Sequence, residues 1–303
     1  MSVHIIFRAE KQSREPQPSL IMSLPDDIIV DIVARVPICY YPTVSLVSKS
    51  LRSLVASPEL YTRRSLLGFA EHCLYVILYN YNTKNYRFYI LRRKVHSNCL
   101  VIIRSFPCMP CSASFLTVGS KIYVVDSSSS LSIVCRSHTV QPISHIPMCV
   151  YNKVAGIIDG KIYVIGDWWW KRVTVFDTET QMWEPKMIKP DMELGNTLLI
   201  EGVVIEDKIY MRDFEDSFRC WSVVKGLEKF LLKMTSSWWS QTVSYGGKLA
   251  LFFCKDGDAR KIWCAEIALE RRQGGEILGK VQWCDVVIDD GIFRMVKCLA
   301  VTV

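Results

Sequence analysis

The sequence has no run of about 18 uncharged apolar residues, the length that a membrane-spanning helix requires, so no membrane segment is expected. The early apolar stretch from His4 to Phe7 is too short, and too soon followed by charge, for a signal peptide. Residues 1–22 are otherwise rich in Arg, Lys, Glu, Gln, Ser and Pro, and we expect a disordered tail there. Without secretion, the 12 cysteines are expected to be buried thiols rather than disulfides.

Concentrated positive charge is also missing. The formal net charge is +7 over 303 residues, and Lys and Arg are scattered along the chain, so nucleic-acid binding is not indicated. The sequence lacks a G-x-S-x-G motif, a His-x-x-x-His motif and a paired-carboxylate arrangement. The histidines form no convincing pair near a tyrosine, and they are His4, His72, His96, His138 and His145. We therefore expect a protein without catalytic residues, a metal or another cofactor.

Residues 23–68 do carry the signals of several short helices. The first helix is predicted to begin near Pro25, which suits a first turn, and to end before Pro37. Ser23 is predicted to cap it. Its apolar residues fall into two overlapping stripes, which are Leu24, Ile28 and Ile32, and Ile29, Val33 and Val36. Together the stripes cover a wider arc than one core-facing side requires.

Further short helices are predicted after a turn at 40–42. They cover 44–47, a stretch from Ser48 or Ser50 to 55, and a last stretch beginning at Pro58. A segment of about 45 residues buries too little apolar area to offset its chain entropy comfortably without a metal, a disulfide or a partner. Cys39 is its only cysteine. We therefore expect the segment to bind the surface of a partner.

Three stretches of this segment match one pattern, with LPDD at 24–27, ARVP at 34–37 and LVSKSLRSL at 46–54. The segment resembles an F-box in the form found in plant F-box proteins with kelch repeats. The resemblance implies docking onto the Skp-type adaptor of a cullin-RING ubiquitin ligase and, with the missing export signals, residence in the cytoplasm or nucleus. By position it assigns adaptor contacts to Leu24, Pro25, Ile28, Ile32, Val47, Lys49, Leu51 and Leu54. The alternative is an independent helical cap on the larger domain.

From residue 73 onward the sequence is a series of short β-rich runs, four of which share one layout. Each has an apolar strand, a tight turn and then Lys-Ile-Tyr or a variant of it, and the runs are 115–125, 154–165, 201–210 and 241–250. The equivalent positions Tyr123, Tyr163, Tyr210 and Ala250 are spaced by 40, 47 and 40 residues. A period of about 40 to 50 residues with several strands in each unit is typical of a β-propeller.

The two ends of this region are expected to form one blade together. Residues 73–79, 88–91 and 100–106 supply three strands, and residues 295–303 form an unassigned strand-like run. Pairing of that run with the first three strands closes the propeller and covers its edges. Four full repeats and this composite make five blades, with six as the alternative.

The phrase VFDTETQMWEP at 175–185 resembles the second half of a kelch repeat, in which Trp183 packs between blades. The double glycine that is usual in such repeats is present only at Gly246-Gly247. The predicted fold is therefore mainly β, with a kelch-type propeller at 69–303 and a small all-α F-box segment at 23–68.

One face of the propeller is the predicted site for a target protein. The loop between the second and third strands of a blade leaves on the same face as the linker to the next blade. Clustered Trp beside Arg or Lys is typical of binding hot spots. The predicted target-binding residues in these two kinds of loop are Trp168, Trp169, Trp170, Lys171 and Arg172, and Trp238 and Trp239. The alternative is that these rings pack inward.

Two stretches have the residue spacing of a cofactor-binding motif, but their predicted structural surroundings do not suit binding. The spacings of Cys108 with Cys111 and of Cys135 with His138 suit zinc. The predicted blades place the two pairs at opposite ends of a strand, roughly 17 Å apart, which is beyond the reach of one ion. The stretch GGEILGK at 274–280 has the spacing of a phosphate loop, but a valine replaces the Ser or Thr, and a strand is expected to follow.

These observations lead to one functional prediction with two rivals. The protein is predicted to be a substrate-recognition subunit of a ubiquitin ligase, in which the F-box holds the adaptor and the propeller holds a target protein. The first rival is a kelch scaffold without a ligase role. The second is a copper oxidase, because kelch-type propellers include such enzymes, which use Tyr and His ligands.

Overall fold

The computed structural model of the protein describes most of the chain from residue 24 onward. The described residues are 24–93, 97–147, 153–166, 172–184, 199–205, 208–213, 225–227, 230, 240–255, 260–272 and 277–303. The predicted tail at 1–22 lies outside them. The chain divides into two compact units, one that ends at Phe69 and one that begins at Ala70. In the described ranges no single helix is long and apolar enough to cross a membrane, and one pair of helical stretches, bent by 108°, passes that test together.

The first unit consists of short helices. Their bounds are α1 Asp26–Arg35, α2 Tyr41–Val47, α3 Lys49–Ala56 and α4 Pro58–Leu66, with a 3-10 turn at Ile38–Tyr40. As predicted, α1 ends before Pro37, but Pro25 rather than Ser23 occupies its N-cap position. The predicted turn at 40–42 is wrong, because α2 already begins at Tyr41. Pro42 fits the first turn of a helix, where its missing N–H would have had no partner.

Serine side chains fix the starts of the last two helices. Ser48 Oγ accepts a hydrogen bond from the backbone N–H of Leu51 over 3.1 Å, and Ser57 Oγ accepts one from that of Leu60 over 3.4 Å. Each serine therefore satisfies a donor that the first turn of a helix leaves unpaired. Of the two predicted starts for α3, Ser48 is the correct one.

The core of the helical unit contains a buried arginine. Arg64 is 1% exposed, and the other buried side chains of this unit in the described residues are those of Val33, Ala34, Tyr41, Leu51, Leu60 and Tyr61. Its Nη1 donates to the carbonyl oxygens of Ala34 (2.8 Å) and Val36 (2.6 Å) at the end of α1, and its Nη2 donates to that of Phe69 (2.6 Å). The end of a helix carries partial negative charge and unpaired carbonyls, so this buried cation stabilises the end of α1.

The second unit is built from β-strands. In the described part of the chain these are β1 His72–Asn80, β2 Asn85–Arg93, β3 Asn98–Ile102, β4 Ser114–Val118, β5 Lys121–Val125, β6 Leu131–Val134, β7 Thr139–Pro142, β8 Lys153–Ile158, β9 Lys161–Gly166, β10 Arg172–Asp177, β11 Met182–Trp183, β12 Leu199–Ile205, β13 Lys208–Asp213, β14 Ser240–Tyr245, β15 Lys248–Phe253, β16 Ile262–Arg271, β17 Ile277–Ile288 and β18 Phe293–Thr302. All the named pairs between them are antiparallel.

The strands form successive sheets around a ring. The strand orders are β18-β1-β2-β3, β4-β5-β6-β7, β8-β9-β10-β11, β12-β13 and β14-β15-β16-β17. The first strand of one sheet contacts the first strand of the next, since β18 contacts β4, β4 contacts β8, β8 contacts β12, and β14 contacts β18. Antiparallel sheets whose first strands surround one axis form a β-propeller, which is the predicted fold. The number of blades stays a prediction.

The last strand of the chain completes the first sheet. β18 pairs with β1 from His72 opposite Thr302 to Asn80 opposite Phe293. Backbone hydrogen bonds of 2.9 Å in both directions between Glu71 and Val303 extend this pairing by one residue. The two ends of the β unit are therefore held in one sheet.

The repeat read from the sequence corresponds to the hairpin that opens four of the sheets, all except the one that contains β18. Its lysine is the first residue of the second strand in β4–β5, β8–β9, β12–β13 and β14–β15. The turn pairs Asp159-Gly160 (φ 49° and 73°) and Gly246-Gly247 (φ 51° and 74°) have positive φ at both positions. Two-residue hairpins of this kind follow the natural twist of the strands, as the sequence predicts.

Neighbouring sheets pack face to face through alternate residues of their strands. Phe252 on β15 packs with Leu74 and Val76 on β1, whereas the adjacent Phe253 belongs to a second cluster with Leu227 on the other side of its sheet. Trp183 packs against the cluster that joins the β4–β7 and β8–β11 sheets, so its predicted place between blades is confirmed. β15 therefore buries side chains on both of its faces.

Candidate functional site

One side of α1 presents apolar side chains to solvent. Ile28 and Ile32 are 42% and 49% exposed and lie four residues apart on one face of the helix, and Leu24, which precedes the helix, is 38% exposed. We call these three residues the α1 strip. Of the other predicted stripe, Val33 is buried and Ile29 is half-buried. The wide apolar arc of the sequence thus serves two purposes, one half packing inside the unit and the other half facing outward.

A cleft of about 1090 Å³ lies between α1, α3 and α4. Its apolar lining comes from Ile29, Val30, Val47, Leu51, Leu54 and Leu66. Four carboxylates line it as well, those of Asp26, Asp27, Asp31 and Glu59. An apolar lining with carboxylates around it is complementary to a partner segment that carries apolar side chains beside Lys or Arg.

An ion pair joins α1 to α4 beside this cleft. Arg63 Nε lies 2.5 Å from Asp31 Oδ1 and Arg63 Nη2 lies 2.9 Å from Asp31 Oδ2, so the ion pair is bidentate. The hydrogen bond from Arg63 lowers the pKa of Asp31. Because the two side chains remain in contact with solvent, the pair orients the cleft wall and adds little to the stability of the fold.

The residues predicted to contact the adaptor differ in exposure. Those open to solvent are Leu24, Pro25, Ile28, Ile32, Val47 and Lys49. Leu54 is half-buried and lines the cleft. Leu51 is only 8% exposed, because it packs into the small core of the helical unit, and what remains accessible of it lines the same cleft. Leu51 is thus a core residue that also forms part of the cleft wall.

Sequence reasoning missed the contribution of Arg64 and Tyr41 to this unit. Tyr41 Oη donates to the carbonyl of Val33 over 3.1 Å, and Arg64 Nη1 lies 3.1 Å from the same hydroxyl. The signal for Arg64 was its position four residues after Leu60, on the buried side of α4. Because an arginine in a short helix is ordinarily exposed, its residue type alone does not predict that Arg64 is buried.

The predicted target-binding tryptophans lie outside the described residues. These positions are Trp168, Trp169 and Trp170 with Lys171, and Trp238 and Trp239. Arg172, which the sequence placed in the same loop, is instead the first residue of β10, where its backbone pairs with Gly166 of β9. The role of these residues in target binding therefore stays a prediction.

A cluster of tyrosines and an arginine lies at two described loops on the same face and at the strand ends beside them. The loop 81–84 joins the second and third strands of its sheet, and 289–292 links β17 to β18, so both leave on the predicted target face. The backbone N–H of Tyr81 donates to the carbonyl of Ile292 over 3.0 Å and joins the two loops. Tyr81 is 49% exposed and Ile292 is 43% exposed.

The rings of this cluster hold an arginine side chain. The ring centroid of Tyr79 lies 5.0 Å from that of Tyr81 and 4.7 Å from that of Tyr86. The guanidinium carbon of Arg294 lies 5.6 Å from the Tyr79 centroid, and Arg294 Nη2 donates to Tyr86 Oη over 3.2 Å. We call Tyr79, Tyr81, Tyr86, Ile292 and Arg294 the tyrosine patch.

A buried ion pair joins two neighbouring sheets near this face. Asp126 Oδ1 accepts hydrogen bonds from Lys153 Nζ (3.0 Å) and Ser112 Oγ (2.7 Å), and Oδ2 accepts one from Ser128 Oγ (2.7 Å). The side chains of Asp126 and Lys153 are 2% and 1% exposed. Burial alone raises the pKa of Asp126, but hydrogen bonds from Ser128, Ser112 and Lys153 outweigh it and hold that pKa well below its usual range.

The phosphate-loop match at 274–280 lies in the described residues only from 277 onward, and the zinc motif forms no metal-binding group within the described ranges. There, no three or more His, Cys, Asp or Glu side chains are placed to hold a metal ion. Cys108 and Cys111 are exposed, whereas Cys135 is buried, and burial raises the pKa of its thiol to about 12. Lys280 lies inside β17, so a strand rather than a helix follows the phosphate-loop match.

Comparison with known proteins connects both units to one family. The F-box domain model matches residues 21–63, and the model described as FKB95, Kelch-repeats domain matches 78–220 and 212–288. The chain is 39% identical to F-box/kelch-repeat protein At4g38940 of Arabidopsis thaliana, over 99% of this chain and 100% of that protein. It is 34% identical to putative F-box/kelch-repeat protein At3g10510 of the same plant, over 97% and 99%.

A solved structure titled "Structure of YjhT" is similar at 14% identity and a TM-score of 0.31, over 58% of this chain and 67% of that chain, which is too low to support an argument. The family models and the plant relatives confirm the resemblance that LPDD, ARVP and the 40-residue repeat indicate. The chain belongs to the family of F-box/kelch-repeat proteins.

Proposed function

We propose that the protein is the substrate-recognition subunit of an SCF-type ubiquitin ligase in the cytoplasm or nucleus. Its F-box docks on a Skp-type adaptor and, through the adaptor, on a cullin-RING ligase. Its kelch propeller holds a target protein, whose lysines other subunits modify. The chain itself catalyses no step and uses no cofactor.

The α1 strip is the observation that supports this proposal best. Two large aliphatic side chains, Ile28 and Ile32, face solvent on one side of a helix of 10 residues, and Leu24 is exposed just before it, in a unit with a small core. Leu46 and Val47 at the end of α2 are 76% and 67% exposed as well. Apolar surface removed from water contributes about 25 cal/mol per Å² to an interface. A complex with a partner that covers these exposed side chains would therefore be stabilised by their burial.

Replacement of both Leu24 and Pro25 by alanine tests the adaptor interface. The tagged full-length chain is co-expressed with a Skp-type adaptor, and the amount of adaptor that co-purifies is measured. We expect the double variant to lose the adaptor and to keep the melting temperature of the β unit. Met182→Ala is the matched control, because Met182 is an apolar residue of the β unit that is 66% exposed.

The same protein preparation distinguishes the proposed function from its two rivals, the kelch scaffold and the copper oxidase. Unchanged capture of the adaptor by the double variant contradicts the docking surface. A wild-type chain that binds target proteins but no adaptor is a kelch scaffold without a ligase role. Copper that co-purifies in a stoichiometric amount and is detected by metal analysis favours an oxidase.

The tryptophan-containing loops are proposed to hold the target protein. In an affinity purification followed by mass spectrometry, we expect proteins captured by wild type to be lost from a chain with Trp168→Ala and Trp169→Ala, while the melting temperature stays nearly unchanged. Solvent-facing rings contribute to a hot spot and little to the fold. A large drop in melting temperature contradicts the proposal, because it assigns the rings to the core.

A further inference from the structure

We infer that the tyrosine patch binds an acidic side chain of the target protein, a Glu or Asp that lies beside an apolar residue. The inference deepens the proposed function and rests on it in one respect, namely that a target protein is held on this face of the β unit. It assigns a chemical preference to a surface outside the tryptophan-containing loops.

Arg294 supplies the cationic part of this subsite. It lies on β18 with an exposed side chain, and its guanidinium is held by the face of the Tyr79 ring and by the hydroxyl of Tyr86. A guanidinium presents five N–H donors in one plane, and the bond to Tyr86 uses one of them. A carboxylate can therefore bind it through two parallel hydrogen bonds, the geometry in which Arg is stronger than Lys.

Tyr81 and Ile292 supply the apolar part. Both are more than 40% exposed, and the hydrogen bond from the Tyr81 backbone to Ile292 holds their two loops together. Contact with the Tyr79 ring fixes the Tyr81 ring as well. Because the Tyr81 ring and the two loop backbones already have these contacts, binding a ligand costs less conformational entropy than ordering free loops does. Tyr and Arg are also the residues enriched in hot spots.

The charges around the patch favour one carboxylate over a polyanion. Lys84 is exposed in the same loop as Tyr81, but Asp289 and Asp290 are exposed in the linker that carries Ile292. A nucleic acid or a segment with several phosphates brings charge close to these two carboxylates, which is unfavourable. A single Glu or Asp next to an aliphatic or aromatic residue meets Arg294 and the apolar rim together.

A selection of random 12-residue peptides displayed on phage tests the inference with the full-length chain. We expect the peptides enriched on wild type to contain Glu or Asp beside Leu, Ile or Phe. The best peptide is synthesised, and its affinity is measured by fluorescence anisotropy. Arg294→Gln is expected to weaken it about tenfold or more, and Tyr81→Ala about fivefold, since a charge-assisted pair and an aromatic contact are lost.

Matched variants separate the subsite from general charge. Arg271→Gln removes an exposed arginine at the end of β16, which leaves on the opposite face, and it is expected to leave the affinity unchanged. A Glu→Gln change in the peptide is expected to cost about as much as Arg294→Gln, and to cost little more in the Arg294→Gln background, because the two groups act as one pair.

Three results overturn the inference. They are the enrichment of peptides without an acidic residue, equal affinity for wild type and Arg294→Gln at an unchanged melting temperature, and a wild-type selection that enriches no peptide. Adaptor capture is measured on the same preparations. Its absence counts against the ligase role, whereas a failure of the peptide experiment with normal adaptor capture counts against the patch alone.

Discussion

The helical unit and the β unit treat their apolar residues differently. In the β unit, neighbouring positions on one strand are both fully buried, since Phe252 and Phe253 on β15 pack on opposite sides of their sheet. In the helical unit, α1 buries Val33 but leaves Ile28 and Ile32 almost half exposed. Sheets stacked around a ring cover both of their faces with each other, whereas a few short helices have too little mass to do so.

The two units also differ in the groups that bind their buried charges. In the β unit, the carboxylates of Asp126 and Glu266 bind Lys153 and Lys248, and Asp126 and Lys153 come from different sheets. In the helical unit, Arg64 binds backbone carbonyls at the end of a helix. The comparison teaches that the β unit is completed by its own chain, through β18 and these ion pairs, whereas the helical unit leaves exposed the apolar α1 strip that the proposed adaptor covers.

The largest expected effect is the difference between two apolar truncations, one in each unit. Phe252→Ala empties a site that is 0% exposed and is expected to lower the free energy of unfolding by about 4 kcal/mol. Ile28→Ala removes a side chain that is 42% exposed and is expected to leave stability almost unchanged while weakening adaptor binding. Urea unfolding and adaptor titration measure the two quantities. Equal destabilisation by both changes removes the distinction between the units.

Asp126→Asn is expected to cause the second-largest loss of stability. It leaves Lys153 buried without its partner charge and is expected to cost about 3 kcal/mol at neutral pH. Because the folded pKa of Asp126 is depressed, its contribution is complete above about pH 5 and is lost as the pH falls through the ordinary value of 3.8 toward the lower folded pKa. Wild type should therefore lose stability in acid more steeply than the variant.

Urea midpoints at several pH values measure this effect. Asp289→Asn is the control, because Asp289 is an exposed carboxylate of the same unit. Parallel pH curves for wild type and Asp126→Asn contradict the assignment of this acid sensitivity to Asp126.

Arg64→Met tests the buried cation of the helical unit. Loss of its hydrogen bonds leaves the carbonyls of Ala34 and Val36 buried without these donors, and we expect the helices to open more easily by about 2 kcal/mol. Native-state hydrogen exchange of the full-length chain reports this opening at Leu60 and Tyr61. Arg63→Met, next to it on the exposed side, should change exchange only slightly, and equal effects refute the role of Arg64.

The smallest expected effect is that of Trp183→Phe. The change keeps an aromatic ring against Phe176, with which Trp183 now has a centroid distance of 5.2 Å, but it removes the hydrogen bond from Nε1 to the carbonyl of Ser144 over 3.0 Å. The expected loss is about 1 kcal/mol, seen as a lower melting temperature. A loss several times larger would show that the indole fills space a phenyl ring cannot.

The parts of the fold that depend on residues close together in the sequence could be predicted. Pro37 ends α1, the positive-φ pairs Asp159-Gly160 and Gly246-Gly247 turn their hairpins, and the lysine of the repeat marks the start of the second strand in four of the sheets. Periodicity then predicts the propeller, because repeats of similar length predict a series of similar sheets. The wide apolar arc of α1 likewise predicted an unpartnered face.

The remainder depends on residues that are far apart in the sequence. Tyr86 and Arg294 are separated by 208 positions and meet because β18 pairs into the first sheet. Asp126 and Lys153 meet because neighbouring sheets pack, and a lysine that opens a strand gives no sign of its partner. Arg64 is of a residue type that is ordinarily exposed, and the path of α1 brings the carbonyls of Ala34 and Val36 to it. Such contacts follow from the fold and not from any local motif.

The central claim is that a Skp-type adaptor covers the exposed apolar surface of the helical unit. Hydrogen exchange of the full-length chain with and without the adaptor, read peptide by peptide, tests it most directly. The account predicts slower exchange in residues 24–35 and 46–55 on adaptor binding and unchanged exchange in strands such as Lys161–Gly166. Unchanged exchange in both helical stretches, with the adaptor bound, would contradict it.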